Sequence, residues 1–307
     1  YCTVRSICPY DVARMSILKR IALFVIVNIA VMITFTLVMA LLEGFGVKLS
    51  GSLVFDAVVA VIVGFSGAFI SLLISKWVAK TFMGVKVLNP GANLNGYDRW
   101  LLDTVHAQAR AAGLKKMPEV GVYDSPEVNA FATGPSKSNS LVAFSSGLLS
   151  QMSQDEVEAV SAHEVGHIAN GDMVTQTLIQ GVINTFVVFF ARIIARVAAS
   201  AVREEMAFLV FIVVNIVLQI VFGILGSLVV NAFSRYREYQ ADAFAGRIAG
   251  RDKMIAALRA LQRNSQAIDT RHPAMATMKI SNHPGWALLT STHPPLEKRI
   301  EALQRGQ

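Results

Sequence analysis

Cysteine is almost absent from this chain of 307 residues: Cys2 and Cys8 are the only two, and they do not form a C-x-x-C pair. A zinc-finger type of thiolate site is excluded, so a transition metal would have to be held by histidine and carboxylate. Charge is scarce as well. Only 16% of residues are charged against 53% hydrophobic, and the mean hydropathy is +0.49. An ordinary soluble domain is not this apolar; the balance points to a membrane protein. The net charge is +7, but the chain has no basic helix and no aromatic-interleaved basic patch, so nucleic acid is not an expected partner. The positive charge mostly flanks apolar runs and suits anionic lipid headgroups. There is no internal repeat and no low-complexity segment. The opening Y-C-T-V-R-S-I-C-P-Y-D-V-A-R reads poorly as structure, and the natural start is expected at Met15.

What the chain does have is long apolar runs. Ile21 to Leu42 is 22 residues without a charge, and Ala57 to Ser75 is 19 more. Each is long enough to cross ~30 Å of hydrocarbon as a helix. Met173 to Ala191 and Met206 to Ser234 are also uncharged. The fourth run reads as a span. The third reads either as a span or as a buried helix or hairpin, because Arg192 and Arg196 crowd its far end. Arg14, Lys19 and Arg20 precede the first run, Lys76, Lys80 and Lys86 follow the second, and only Lys48 lies between them. Both ends of this hairpin are therefore expected in the cytoplasm.

Two of the six histidines fall in S-A-H-E-V-G-H-I-A-N-G-D, residues 161–172. On a helix His163 and His167, at i and i+4, share a face. Glu164 lies about 100° round, within reach of a water on an ion held by both imidazoles. This is the H-E-x-x-H arrangement of zinc peptidases. Ser153 and Glu156 supply a capping box ahead of the helix, and Asn170-Gly171 supplies a stop.

Around it, 97–112 reads as an amphipathic helix, and 119–123, 129–134 and 140–146 read as short strands. A helix is expected from about 252 to 263, a loop over 264–292, and a last short helix from Pro294-Pro295. A catalytic zinc usually has three protein ligands. The metzincin positions hold Asn170 and Met173, so that pattern fails. Asp172 is read as too close to His167 to fold back, and Glu204 and Glu205 as lying on the wrong side of the bilayer. Glu238 is the best remaining candidate, with Asp242 one turn on.

H163-E-V-G-H167, E238-Y-Q-A-D242 and T292-H-P-P-L-E-K-R299, with N-A-F-A-T-G and H-I-A-N-G-D-M, resemble the HtpX family of bacterial membrane zinc metallopeptidases, relatives of the CAAX prenyl endoproteases. The resemblance covers about Lys19 to the C-terminus. It implies a gluzincin-type core with one zinc per chain, held by His163, His167 and Glu238, with Glu164 as general base. It also implies His293 near the developing oxyanion and Arg299 fixing the site through a carboxylate, Asp242 being nearest. Asn129, Ala130, Phe131 and Ala132 would form the strand that binds substrate backbone. The implied setting is the bacterial inner membrane, multi-pass, with a cytoplasmic site. The implied role is degradation of damaged or misfolded membrane proteins under stress. Protein substrates and the lipid bilayer are the expected partners; oligomeric state is left open.

The expected architecture is an α+β membrane protein. It combines transmembrane helices with a mainly helical gluzincin-like domain and a small antiparallel sheet. The expected division is an extension (1–14), a two-span hairpin (15–76), a catalytic part (77–172), two apolar helices (173–234) and a C-terminal part completing the zinc site (235–307). A metal transporter would need ionisable groups within its spans; the first, third and fourth runs have none, and the second has only Asp56, at its end. An inactive scaffold would need a lost ligand or base, and all four residues are present.

Overall fold

The computed structural model describes residues 53–271 and 291–306. The expected first span, the N-terminal extension, His272 and His283 lie outside these residues. Among the described residues, three helices are long and apolar enough to cross a membrane. Helix α1 (Leu53–Phe82) is followed by the two-residue strand β1 (Lys86–Val87), α2 (Gly96–Ala111) and β2 (Glu119–Tyr123). Then come β3 (Ala130–Ser136), β4 (Asn139–Ser145), the short α3 (Ser146–Gln151) and α4 (Gln154–Asn170). Helices α5 (Asp172–Ser200) and α6 (Glu204–Ala245) form the second apolar pair. A π-helical turn (Gly246–Gly250) leads into α7 (Arg251–Arg271), and α8 (Leu296–Gln304) closes the chain. Helix α7 runs past the expected boundary at 263, so the expected loop cannot begin at 264.

The apolar helices pack side by side, α1 on α5 and α5 on α6. Small residues set their approach. A Cβ at Gly64 would lie 2.6 Å from the Thr185 backbone nitrogen, and one at Gly181 would lie 2.4 Å from the Phe65 ring. Close backbone approach is the main source of helix affinity where lipid is as apolar as the side chains. By contrast, α6 keeps Phe208, Ile216, Ile220 and Ile224 exposed along its apolar stretch, as a lipid-facing helix does.

At the end of the bundle away from the sheet, α1 and α5 share a buried charge cluster. Asp56 is fully buried and its Oδ1 meets Arg192 Nε at 3.0 Å and an Arg196 Nη2 at 2.7 Å. Arg192 also lies 5.7 Å from the ring centroids of both Phe55 and Phe211. The arginines that crowd the third apolar run therefore have a partner on the second.

The sheet has the order β1-β2-β4-β3. β3 and β4 form an antiparallel hairpin, and β1 is antiparallel to β2. β2 and β4 are parallel, so the sheet is mixed where an antiparallel one was expected. The cause is β3: it occupies the outer edge, and the chain returns through it to place β4 beside β2 in the same direction. Alternation along the strands gives two buried faces. Leu141, Ala143 and Tyr123, with Phe131, pack on Ala79 and Val85 at the end of α1. Val120, Val142 and Phe144, with Ala130 and Ala132, face the core built by α2 and α4. Lys76 and Lys80 of α1 tie down the same corner through Glu119, at 3.1 and 2.6 Å.

Removing Asp56 would leave two arginines in an apolar setting. Asp56→Ala should cost roughly 2–3 kcal/mol, below the full cost of a broken buried pair because Arg196 is partly exposed. Thermal unfolding in detergent would register this as a lowered midpoint, and Asp56→Glu should recover part of the loss.

Candidate metal centre

The site is built from α4 outward. Ser153 caps its first turn: its hydroxyl accepts from Glu156 N, and the Glu156 side chain accepts from Ser153 N, closing the capping box. Gly171, with φ 76°, ends the helix in the left-handed region that glycine occupies without strain. The buried residues of α4 include His163 and Glu164, while His167 is half-buried. Their ring nitrogens converge: His163 Nε2 and His167 Nε2 lie 3.1 Å apart.

Glu238 reaches this pair from α6. Its Oε1 is 3.5 Å from His167 Nε2 and its Oε2 is 3.6 Å from His163 Nε2. The approach depends on Gly166. A Cβ there would lie 2.9 Å from the Phe244 ring, so a larger residue on α4 would push α6 away. His163, His167 and Glu238 together form a group able to hold a metal ion. Neighbouring ligand atoms around a tetrahedral ion with bonds of ~2.0–2.1 Å stand roughly 3.3 Å apart. The observed 3.1, 3.5 and 3.6 Å bracket that value.

Each imidazole is backed by a carboxylate on its other nitrogen. Asp242 Oδ1 lies 2.9 Å from His163 Nδ1, and Asp172 Oδ2 lies 2.6 Å from His167 Nδ1. The position of Asp172 corrects the expectation that it could not fold back onto the site. Gly171 turns the backbone into α5, and Asp172, the first residue of that helix, points its carboxylate at the last turn of α4. It meets the ring nitrogen away from Glu238. Such pairs fix the tautomer and orientation of a ligating histidine.

Two arginines hold the carboxylates. Arg299 of α8 binds Asp242 with two hydrogen bonds, from Nε at 2.7 Å and Nη2 at 2.6 Å, and its Nη1 lies 3.1 Å from Glu238 Oε2. Burial alone would disfavour the guanidinium, but the hydrogen bonds to Asp242 outweigh it and raise its pKa. Arg237, also buried, donates to the Asp172 carbonyl at 2.6 Å and to Gln176 Oε1 at 2.7 Å. Sequence reading passed over Arg237 and set Asp172 aside. The signals were there: an acid directly after the Asn-Gly stop, and an arginine next to the candidate ligand.

His293 lies at the mouth with 63% of its side chain exposed, its Nδ1 2.9 Å from Glu238 Oε2. In the sheet, Ala130, Phe131 and Ala132 lie on the edge strand β3, with Asn129 just before it. Glu204 and Glu205 stand in the first turn of α6, at the opposite end of that helix from Glu238.

The electrostatics suit a dication. Glu164, Asp172, Glu238 and Asp242 are buried together with Arg237 and Arg299, leaving two negative charges in excess when the imidazoles are neutral. An uncompensated buried charge is costly. The same field acts on protons: burial opposes a charged His167, but Asp172 and Glu238 prevail and raise its pKa to about 10.

Comparison with known proteins agrees with this geometry. The model of Peptidase family M48 matches residues 96–307. The Protease HtpX homolog of Bacillus licheniformis is 52% identical over 298 residues, covering 93% of this chain and 99% of that protein. Protease HtpX of Shewanella sp. is 52% identical over 294 residues, covering 94% and 99%. The crystal structure of S. mikatae Ste24p shares the fold, with a TM-score of 0.64 at 18% identity; the match covers 94% of this chain and 66% of that one. With a matched family model over most of its length, near full-length relatives at half identity and a His-His-Glu cluster suited to a metal, the chain belongs to peptidase family M48, among the HtpX membrane metalloproteases.

Proposed function

We propose that this metalloprotease is a zinc endopeptidase that cuts misfolded or damaged membrane proteins at the cytoplasmic face of a bacterial inner membrane, as a multi-pass protein serving quality control under stress. The observation that carries the reading is the meeting of His163, His167 and Glu238 with Glu164 on the same helix, beside an open sheet edge. Two imidazoles and one carboxylate are the ligand set of catalytic zinc in hydrolases, and a hard cation such as calcium would favour an all-oxygen site.

His163 Nε2, His167 Nε2 and Glu238 are assigned as the zinc ligands. Asp242 and Asp172 orient the two rings, and Arg299 positions both Asp242 and Glu238. Zinc, when bound, lowers the pKa of a coordinated water and polarises the scissile carbonyl. Glu164 accepts a proton from the attacking water at its carboxylate and returns it to the leaving amine nitrogen. His293, exposed at the mouth, is assigned to donate a hydrogen bond to the developing oxyanion, an effect typically worth roughly 3–4 kcal/mol. The substrate backbone pairs with β3 through residues 129–132, so catalysis acts on an extended segment and not on a folded domain.

The membrane setting supports the choice of substrate. Lys76 and Lys80 lie at the end of α1 that packs on the sheet, and lysine at one end of a span favours the cytoplasmic side. A site joined directly to spanning helices sits close to the bilayer surface, where unfolded segments of membrane proteins emerge.

Glu164→Gln should retain one zinc per chain and lose at least 100-fold in cleavage of an unfolded protein such as casein. Near wild-type activity would remove the peptidase assignment, and loss of zinc would make Glu164 a ligand. Asp172→Asn should weaken zinc binding by roughly 10–100-fold, read by competition with a chelator, while the far-ultraviolet circular dichroism is unchanged. A reporter inserted at Lys137, in the exposed β3–β4 turn, should read cytoplasmic; a periplasmic signal would reverse the orientation.

A further inference from the structure

The hydrogen bonding of β3 fixes which of its backbone groups are open. Ser145 N donates to Asn129 O at 2.9 Å, and Phe131 and Thr133 sit opposite Ala143 and Leu141 in the same register. Hydrogen-bonded and non-hydrogen-bonded pairs alternate along an antiparallel ladder. Asn129, Phe131 and Thr133 are therefore turned toward β4, and the N–H and C=O groups of Ala130 and Ala132 face outward. An extended chain that pairs with this edge must send successive side chains to opposite faces of the sheet. One face is that of α4. The other is that of α1.

On the α1 face, directly beside this edge, is a cavity of about 380 Å³. Its walls are Ile74 and Val78 on one stripe of α1, Met83 just past the end of that helix, and Phe131, Ala132 and Thr133 of the edge strand. Ala79 is buried in the same wall, and Phe131 is held against Tyr123 with ring centroids 5.6 Å apart. The Ser75 hydroxyl, also on the lining, is committed to the Leu72 carbonyl at 2.7 Å, one turn back on its own helix. The lining is thus mostly apolar, and the volume is sufficient for a side chain as large as phenylalanine.

We propose that this cavity is a specificity subsite that takes one bulky apolar side chain of a substrate strand seated on β3. The proposal rests on the peptidase reading above. Its occupant follows from position: a strand residue opposite Phe131 or Thr133, adjoining the one that hydrogen-bonds to Ala132, sends its side chain to the α1 face and has this cavity in front of it. The chemistry follows from the walls, which offer apolar contact and no free charge. Because half of the subsite belongs to a helix that also crosses the apolar region, the selected residue is read where the sheet meets the membrane helices. Apolar residues drawn from a dislodged membrane segment are the side chains that match it.

The test uses the full-length zinc-loaded protein and a peptide library, with cleavage sites mapped by mass spectrometry. Wild type should favour Phe, Leu or Met at one fixed position from the scissile bond, with no such preference at the two adjoining positions. Ser75→Trp, which fills the cavity, should lower the ratio of kcat/KM for Phe over Ala at that position by at least tenfold. Val78→Ala, a milder change that enlarges it, should raise the ratio of kcat/KM for Trp over Phe at that position. Absence of a fixed apolar position, or ratios unmoved in both variants, would overturn the subsite; a cavity permanently filled by lipid or detergent tails would give that result. Glu164→Gln separates the two levels. If it cleaves like wild type, the peptidase reading fails and takes the subsite with it. If it is inactive while the ratios stay fixed, only the subsite fails.

Discussion

Everything at the candidate centre depends on α4 and α6 lying close enough for one carboxylate to meet two imidazoles. The two ends of that contact are 71 residues apart, with both later apolar helices between them. Three features produce the approach. Gly166 removes the side chain that would collide with Phe244. Arg237 joins α6 to the first residue of α5, and hence to the end of α4. Arg299 brings α8 across both Asp242 and Glu238. Remove the attraction of the arginines and four buried carboxylates would repel one another. The cluster is stable because cations are placed within it, and it is receptive to a metal because those cations fall two charges short.

Features governed by near neighbours were legible in the sequence. The capping box at Ser153, the stop at Gly171 and the shared face of His163 and His167 are all local, and the structure has them in the expected form. The second, third and fourth apolar runs announced long helices for the same reason. What escaped was pairing between distant segments. Arg192 and Arg196 read as marks against a span until Asp56, on a helix more than a hundred residues earlier, was found beside them. The parallel register of β2 with β4 depends on β3 taking the outside position, which alternation along a strand cannot reveal. Asp172 was misjudged because the Asn-Gly stop was taken as the end of a structural unit. It is a joint of one residue, and the acid beyond it is carried back against His167. Short elements also escaped: α3 and β1 have too few residues to show a period.

The resemblance to HtpX proteases supplied ligand and supporting residues that spacing alone could not connect. The physical reading adds the reason those residue types are needed. A histidine whose second nitrogen is held by a carboxylate presents its first nitrogen in one orientation, and a carboxylate held by arginine cannot swing away. The charge pair at Asp56 has a different effect, at the other end of the same bundle. It closes the α1–α5 contact where apolar side chains alone would slide past one another in lipid.

The length of α6 has a mechanical consequence. It is one unbroken helix of 42 residues, so it is about 63 Å long and carries both its lipid-facing stretch and Glu238 on a single rod. From the middle of the apolar stretch to Glu238 is about 27 Å, so a tilt of roughly 1° shifts the carboxylate by about 0.5 Å, the tolerance within which a ligand must be held. Helices adjust their tilt to the thickness of the bilayer around them. Glu238 therefore stands at the tip of a lever whose fulcrum is lipid, and the arginine clamp is what isolates the metal geometry from the thickness of the membrane.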